Sequence, residues 1–224
     1  MSCSDVFLPG KIVSLCHPNV ECDITNGHWH SWFNDQNITK YLEHGVRSIN
    51  AIDEAQIIRS DLAKTSNLIL SIVGNESGKI FGVISIKNIN HLLMRGEIAL
   101  VTNNECLPGA ALEAMALMTN HAFDRLNLQK LYAGQHEGLW KWVNTLALIG
   151  YRIEGIRRCQ GYRNGKPYDV ILTGVTASDY YKLKFERDGD ILSGDALMLS
   201  KKRCKDNKAE ALKKILNDFN LDYF

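Results

Sequence analysis

Residues 97–126 have the order that proteins use to bind phosphate groups: a strand, a turn of small residues and a long helix. After the run Glu97–Val101 and a polar loop, the chain reads Pro108-Gly109-Ala110-Ala111 before an amphipathic helix. Small residues let the backbone approach a ligand, the first N–H groups of a helix have no acceptor within it, and the helix dipole favours an anion. The pattern predicts an anion site at 107–112, although on its own it is more often only a turn before a helix.

The stretch 27–35 carries a second set of chemically useful side chains, because aromatic rings alternate there with imidazole, hydroxyl and amide groups. Rings stack on the flat faces of a sugar or nucleotide, and the polar groups hydrogen-bond its hydroxyls. We therefore expect substrate contacts from four residues: His28, His30, Trp32 and Asn34. The alternative is that Trp29, Trp32 and Phe33 are core residues of the first helices. The two histidines lack a third ligand nearby, so no metal site is expected.

The hydrophobic pattern predicts the elements that position these groups. Strands are expected at 11–17, 67–74, 79–87, 95–102, 130–135, 151–162 and 168–175, and helices at about 53–64, 109–126 and 139–149. Asp53 is the expected cap of the first of these helices. The Asn164-Gly165 pair predicts a tight hairpin between the last two strands.

A change of composition after residue 176 predicts two domains, 1–176 and a C-terminal appendage at 177–224. The appendage contains an amphipathic helix at about 208–219, with apolar side chains on one stripe: Leu212, Ile215, Leu216 and Phe219. Such a stripe packs on its own domain or on a second subunit, so a homodimer is one of two interpretations.

Bulk composition disfavours several classes of protein. A net charge of +1 over 224 residues argues against a nucleic-acid binder, which is usually distinctly basic. No apolar run is long enough to span a membrane and the N-terminus does not resemble a signal peptide, so we expect a cytoplasmic protein with no membrane partner. The six cysteines are scattered without the spacing of a metal site, which favours reduced thiols and no metal.

The order of the predicted elements and motifs resembles the GNAT superfamily of acyl-CoA-dependent N-acetyltransferases. The family's pyrophosphate loop, Q/R-x-x-G-x-G/A, falls on Cys106–Ala111, and Leu148–Gly155 resembles its L-x-G-F-x-x-E-G segment. The resemblance covers about residues 9–176. It implies an α/β (α+β) GNAT fold, with a mixed, mostly antiparallel central sheet, a splayed fourth and fifth strand pair, and flanking helices.

The resemblance also implies a site for acetyl-CoA as co-substrate. The fourth strand would contact its pantetheine arm through Leu100, Val101 and Thr102. The pyrophosphate would lie on a run of six residues: Leu107, Pro108, Gly109, Ala110, Ala111 and Leu112. Two catalytic candidates follow from the same alignment, Glu97 as general base at the start of the fourth strand and His136 just past the fifth. The alternatives are that Glu97 is solvated or paired with Arg95, and that His136 is an ordinary surface histidine.

Three positions depart from the family pattern. Cys106 stands where the phosphate loop usually begins with Gln or Arg, and Leu139 replaces an Asn that contacts the pantetheine arm. Leu146 occupies the position of the Tyr that commonly acts as general acid. Backbone N–H groups still supply most donors of such a phosphate site, so the departures affect the proton chemistry more than the fold.

The acceptor is expected to be a small-molecule amine. Asn37–Glu43 resembles a signature of GNAT members encoded with surface-polysaccharide genes, which favours an amino group of a nucleotide-linked deoxysugar and direct attack on the thioester. The motif order is equally close to the ribosomal-protein-acetyltransferase-like branch. A protein N-terminal acetyltransferase and a non-catalytic acyl-CoA-binding protein therefore remain as alternatives.

Overall fold

A computed structural model describes residues 5–25, 29–43 and 45–193 of the chain. The chain divides into two compact units, 1–128 and 129–224, which we describe in turn.

The first unit contains five strands in which each neighbouring pair is antiparallel. Their bounds are β1 Val6–Leu8, β2 Val13–Cys16, β3 Leu68–Gly74, β4 Ile80–Asn90 and β5 Arg95–Thr102. Four of them confirm predicted strands. The short β1 was missed, because three residues are too few to show an alternating pattern.

The helices of the first unit are α1 Trp29–Asn34, α2 Gln36–Thr39, α3 Ala51–Leu62 and α4 Ala110–Asp124, and a π-helical turn precedes them at Val20–Thr25. The prediction that Asp53 caps α3 was wrong. Asn50 is the cap, and its side chain accepts the N–H of Asp53 at 2.8 Å. Asn and Asp are both favourable N-cap residues, so residue type alone did not show that the helix is capped three residues earlier than predicted.

Strand register separates two faces of β5. Val101, Ala99 and Glu97 lie opposite Val83, Ser85 and Lys87 of β4, and directly paired residues point to the same side of a sheet. Ile98 and Leu100 alternate with these residues and point to the other face of the sheet. That face packs on the core of the unit, where α4 contacts β2, β4 and β5. The face that carries Glu97 is therefore not the face of β5 that this core covers.

The second unit contains β6 Lys130–His136, β7 Arg152–Arg163 and β8 Lys166–Thr176, in the order β6-β8-β7 with antiparallel pairs. The predicted hairpin is confirmed, and Asn164 and Gly165 both have positive φ, 51° and 74°, as a two-residue turn of this kind requires. The predicted helix at 139–149 is divided. An α-helix, α5, covers Trp140–Leu146, with 3₁₀ turns at Glu137–Leu139 and Ala147–Ile149.

A further helix, α6, covers Ala177–Glu186 and begins directly after β8. Thr176 and Asp179 form a capping box at its start, and Tyr180 is fully buried. The predicted domain boundary falls at this junction, between two packed elements. The amphipathic helix predicted at 208–219 lies outside the described residues, so its role in a homodimer stays a prediction.

Candidate active site

The turn that opens α4 has the backbone geometry of an anion site. Gly109 is the N-cap with φ 88° and ψ −21°, a left-handed conformation that favours glycine, and no side chain caps the helix. Ala110 donates its N–H to the carbonyl oxygen of Leu107 at 3.1 Å. The next two N–H groups, of Ala111 and Leu112, belong to the first turn, where the helix itself provides no acceptor. Residues 107–112 therefore present backbone donors with little side-chain bulk before them.

Asn103 fixes the loop between β5 and this turn. Its N–H donates to the carbonyl oxygen of Phe81 at 2.8 Å, and its side-chain amide donates to that of Ile80 at 3.1 Å. Its amide oxygen accepts the N–H of Glu105 at 3.0 Å. The loop is thus tied to β4 on one side and to its own following turn on the other.

The thiol of Cys106 lies at the same turn. It is within hydrogen-bonding reach of the Thr102 hydroxyl and of the Ala111 N–H, while burial raises its pKa above the ordinary value. A neutral thiol is a poorer nucleophile than a thiolate. It is also a weaker hydrogen-bond donor than the Gln or Arg side chain that the family pattern has at this position. Cys106 therefore lines the turn without adding a strong side-chain contact.

Glu113 positions α4, although sequence reasoning did not select it. The residue is only 4% exposed, and its carboxylate accepts the N–H groups of Lys11, Ile12 and Val13 at 2.6, 2.7 and 2.9 Å. These bonds hold the first turns of α4 to the start of β2. A carboxylate between Leu112 and Ala114 on an apolar helix was the signal that could have identified it.

Glu97 lies half-buried on β5, opposite Lys87 of β4. Its carboxylate accepts a hydrogen bond from the side-chain amide of Asn88 at 3.3 Å, so the partner is not the Arg95 considered from the sequence. Lys87 binds instead to Asp61 of α3 at 2.7 Å. The other carboxylate oxygen of Glu97 has no hydrogen-bond partner in the part of the chain that the structure describes, and its role as a general base stays a prediction.

The three residues expected to contact the pantetheine arm follow on the same strand. Leu100, Val101 and Thr102 are all half-buried. Their backbone pairs with β4 through the register Leu100–Ile84, Val101–Val83 and Thr102–Gly82. This pairing fixes the position of the C-terminal end of β5. The loop that contains Asn103 begins there and leads to the turn that opens α4.

His136 ends β6 in the second unit and stacks on Tyr168, with ring centroids 4.4 Å apart and 26° between the planes. Its Nδ1 accepts the N–H of Gly138 at 2.9 Å. A neutral imidazole that accepts at Nδ1 carries its hydrogen on Nε2. In that tautomer the Nε2 N–H is the donor of the ring, and a catalytic role of His136 stays a prediction.

The residues predicted to line the substrate pocket have mixed placements. Trp29 and Trp32 are 1% and 9% exposed and pack with Ile24, Ala55 and Ile58, as the core interpretation expected. Little of the Trp32 ring is left to contact a substrate.

Asn34 is also engaged within the fold. Its amide donates to the carbonyl oxygen of Ile49 at 2.7 Å and accepts the N–H of the same residue at 2.9 Å, which closes the loop 34–49. His30 is half-buried, and its Nδ1 is buried with no hydrogen-bond partner among the described residues. His28 lies outside the described residues. Substrate contacts from His28 and His30 therefore stay predictions.

Residues 23–151, more than half of the chain, match the family described as acetyltransferase (GNAT) domain. The protein therefore belongs to the GNAT family and is an acetyl-CoA-dependent N-acetyltransferase by class, as the motif order predicted. No curated protein sequence gives a significant match.

Solved structures share the same fold. A chimera of the spermidine N-acetyltransferase from Vibrio cholerae and hSSAT has a TM-score of 0.67 at 16% identity, over 76% of this chain and 99% of that one. A GCN5-related N-acetyltransferase from Brucella melitensis gives 0.66 at 18%, over 83% and 85%. The Vibrio cholerae spermidine enzyme in complex with CoA and spermine gives 0.62 at 20%, over 68% and 89%. The likeness confirms the predicted GNAT fold.

Within residues 5–25, 29–43 and 45–193, no group of three His, Cys, Asp or Glu side chains could hold a metal ion. None of the helices in that part of the chain is long and apolar enough to cross a membrane.

Proposed function

We propose that the protein acetylates the primary amine of a nucleotide-linked amino sugar. The N-acetyltransferase class follows from the family, so the proposal concerns the acceptor and the residues that serve it. The observation that carries the choice of acceptor is the charge on the strand face of His136. The register of β6, β7 and β8 places Arg157, Arg163 and Lys166 on that face, a surplus of cations that suits an anionic substrate.

Acetyl-CoA supplies an activated acyl group, and the residues of the first unit fit it. The positive φ of Gly109 and the small residues after it leave room for a pyrophosphate at the α4 N–H groups. Leu100, Val101 and Thr102 would contact the pantetheine arm, as the family resemblance implies. In this assignment Cys106 contributes only its thiol, and the backbone supplies most of the binding.

The proton chemistry is assigned to Glu97, which accepts a proton from the substrate ammonium, because an amine must be neutral before it can attack an acyl carbon. His136, the other catalytic candidate, is assigned to the nucleotide of the acceptor and not to the reacting atoms. The acetyl group then passes directly to the amine nitrogen, and CoA leaves as the free thiol.

Two other acceptors compete with the nucleotide sugar. Spermidine is the substrate named for two of the similar structures, and a polyamine carries only positive charge. Arg157 and Lys166 are exposed and would repel it. A protein N-terminus is the second competitor, and its backbone carries no phosphate for these cations to bind.

A thiol-release assay with acetyl-CoA tests the acceptor. The panel contains 3-amino and 4-amino nucleotide sugars, spermidine and N-terminal peptides, each at the same concentration. We expect the highest kcat/KM for a nucleotide amino sugar. Faster turnover of spermidine or of a peptide would overturn the proposed acceptor, and tight CoA binding without turnover of any amine would assign the chain to a non-catalytic role.

A further inference from the structure

Five side chains of the second unit form a surface that we call the cationic face: His136, Arg157, Arg163, Lys166 and Tyr168. On β8, Lys166, Tyr168 and Val170 alternate and therefore point to one side of the sheet. Val170 lies opposite both His136 of β6 and Arg157 of β7, and Lys166 lies opposite Arg163. Directly paired residues share a side, so the three cations and the aromatic pair lie on the same side of the sheet.

The aromatic pair is fixed by backbone geometry as well as by stacking. Tyr168 lies opposite Gly161, and a Cβ built on Gly161 would stand 2.2 Å from the Tyr168 ring. Any other residue at that position would displace the ring. Gly161 thus lets Tyr168 rest close to β7 while His136 stacks on it, and both rings keep part of their surface exposed.

An irregular stretch in β7 brings Arg157 to this face. The register shifts between Arg157 and Gly161, four residues apart on β7, while their partners Val170 and Tyr168 are two apart on β8. Cys159 in this stretch has φ 50°, and its N–H donates to the Asp169 carboxylate at 2.9 Å. The extra residues keep Arg157 and Gly161 on the same side of the sheet.

The acidic groups nearby are engaged elsewhere. Asp169 lies between Tyr168 and Val170 on β8, so its side chain points to the opposite side, where it holds the irregular stretch. Glu137, next to His136, accepts the N–H of Asp169 at 3.3 Å. Arg157 and Lys166 are exposed, and the register positions beside them on this side of the sheet carry no carboxylate among the described residues.

We propose that the cationic face binds a nucleoside diphosphate, the activating group of the acceptor. Arg157, Arg163 and Lys166 bind the phosphate oxygens, and the His136–Tyr168 pair stacks on the base. Guanidinium groups form strong hydrogen bonds to phosphate, and the outer face of a stacked aromatic ring offers a flat surface on which a nucleobase can stack. This assignment rests on the proposed function for the identity of the sugar, but the face itself is defined by register and stacking.

Binding of free nucleoside diphosphates measures the face without any turnover. Titration calorimetry uses UDP, dTDP, GDP and CDP as probes, with saturating CoA so that the acyl-CoA site is occupied. We expect at least one of the four to bind, more weakly at high salt, and Arg157→Gln to raise its Kd about tenfold. Tyr168→Leu is expected to raise it about fivefold through lost stacking.

The control is Lys182→Gln, which removes the same charge from an exposed position on α6 and should leave the Kd unchanged. If none of the four probes binds, or if Arg157→Gln and Lys182→Gln behave alike, the cationic face is not a nucleotide site. If a probe binds through Arg157 while no nucleotide amino sugar is acetylated, the face stands and the proposed function fails.

Discussion

The turn that opens α4 and the cationic face of the second unit both offer donors to phosphate, but they are built from different atoms. At the turn the donors are backbone N–H groups behind Gly109, and the nearest side chain, Cys106, is a neutral thiol. On the cationic face the donors are the side chains of Arg157, Arg163 and Lys166. In the proposed assignment, the backbone site would serve a co-substrate that does not change, whereas the side chains can be exchanged to suit a different acceptor.

Backbone donors and side-chain donors should respond differently to substitution. At the turn, only a change that alters the path of the backbone can remove the donors. On the cationic face, and at Glu97, single side chains carry the contact.

Glu97→Gln should have the largest effect, because it removes the assigned base and leaves both phosphate-binding regions intact. We expect kcat/KM for the amine acceptor to fall about 100-fold at neutral pH, the lower range for loss of general-base catalysis. The Kd of CoA should not change. The pH profile of kcat/KM should also lose its rise on the acidic side, since that rise reports ionisation of the base.

The matched control is Glu76→Gln in the exposed turn between β3 and β4, which removes the same charge from the first unit. Equal activity of the two variants would show that Glu97 is not the base. A lower activity with an unchanged pH profile would instead indicate that Glu97 only orients the substrate.

Gly109→Val should have the next largest effect, and on a different quantity. A β-branched residue is strained at φ 88°, and its side chain would stand before the N–H groups of α4. We expect the Kd of CoA to rise about tenfold or more, because the backbone donors are the main contact. Direct titration with CoA measures it.

Gly78→Val provides the comparison for this substitution. Gly78 also has a positive φ, 64°, but it lies in an exposed turn with nothing within 4 Å of an added Cβ. Both variants should lose similar stability in urea denaturation, and only Gly109→Val should lose CoA binding. If CoA binds both variants equally well, the pyrophosphate does not lie on the α4 turn.

These two regions also differ in how far the sequence could predict them. The α4 turn is local, since Gly109, its small neighbours and the following helix lie within a few residues, and the pattern identified them together. The Asn164-Gly165 hairpin was predictable for the same reason. The cationic face was not, because Arg157 and Gly161 share a side only through an irregular stretch that Asp169 holds, and sequence spacing does not reveal that shift.

Packing determines how the residues of the predicted substrate pocket are used within the fold. Trp32 and Asn34 have side chains that suit a sugar, but the same side chains suit a core and a loop closure. Which use prevails depends on Ala55, Ile58 and Ile49, residues that approach only after folding. Glu113 was missed for a related reason, since its three backbone partners lie about 100 residues away in sequence.

Cys106→Ser should have the smallest effect, and it tests whether any side chain matters at the α4 turn. Burial raises the pKa of the thiol, so at neutral pH it is protonated and cannot act as an attacking thiolate. Serine keeps a small polar group beside Thr102 and the Ala111 N–H. We expect kcat and the Kd of CoA to stay within about twofold of the parent values, as for a change that leaves the backbone donors in place.

The pKa shift gives the variant a second readout with a definite sign. Because the folded state holds the thiol proton more tightly than the unfolded chain, Cys106 contributes a pH-dependent stability that is fully present below the unfolded thiol pKa and is lost as the pH rises from there through the higher folded pKa. The free energy of unfolding of Cys106→Ser should therefore fall less steeply than that of the parent in the alkaline range. A loss of activity in Cys106→Ser that Cys106→Ala shares, with CoA binding preserved, would mean that the thiol takes part in acyl transfer, and the α4 turn would no longer be a site built from backbone alone.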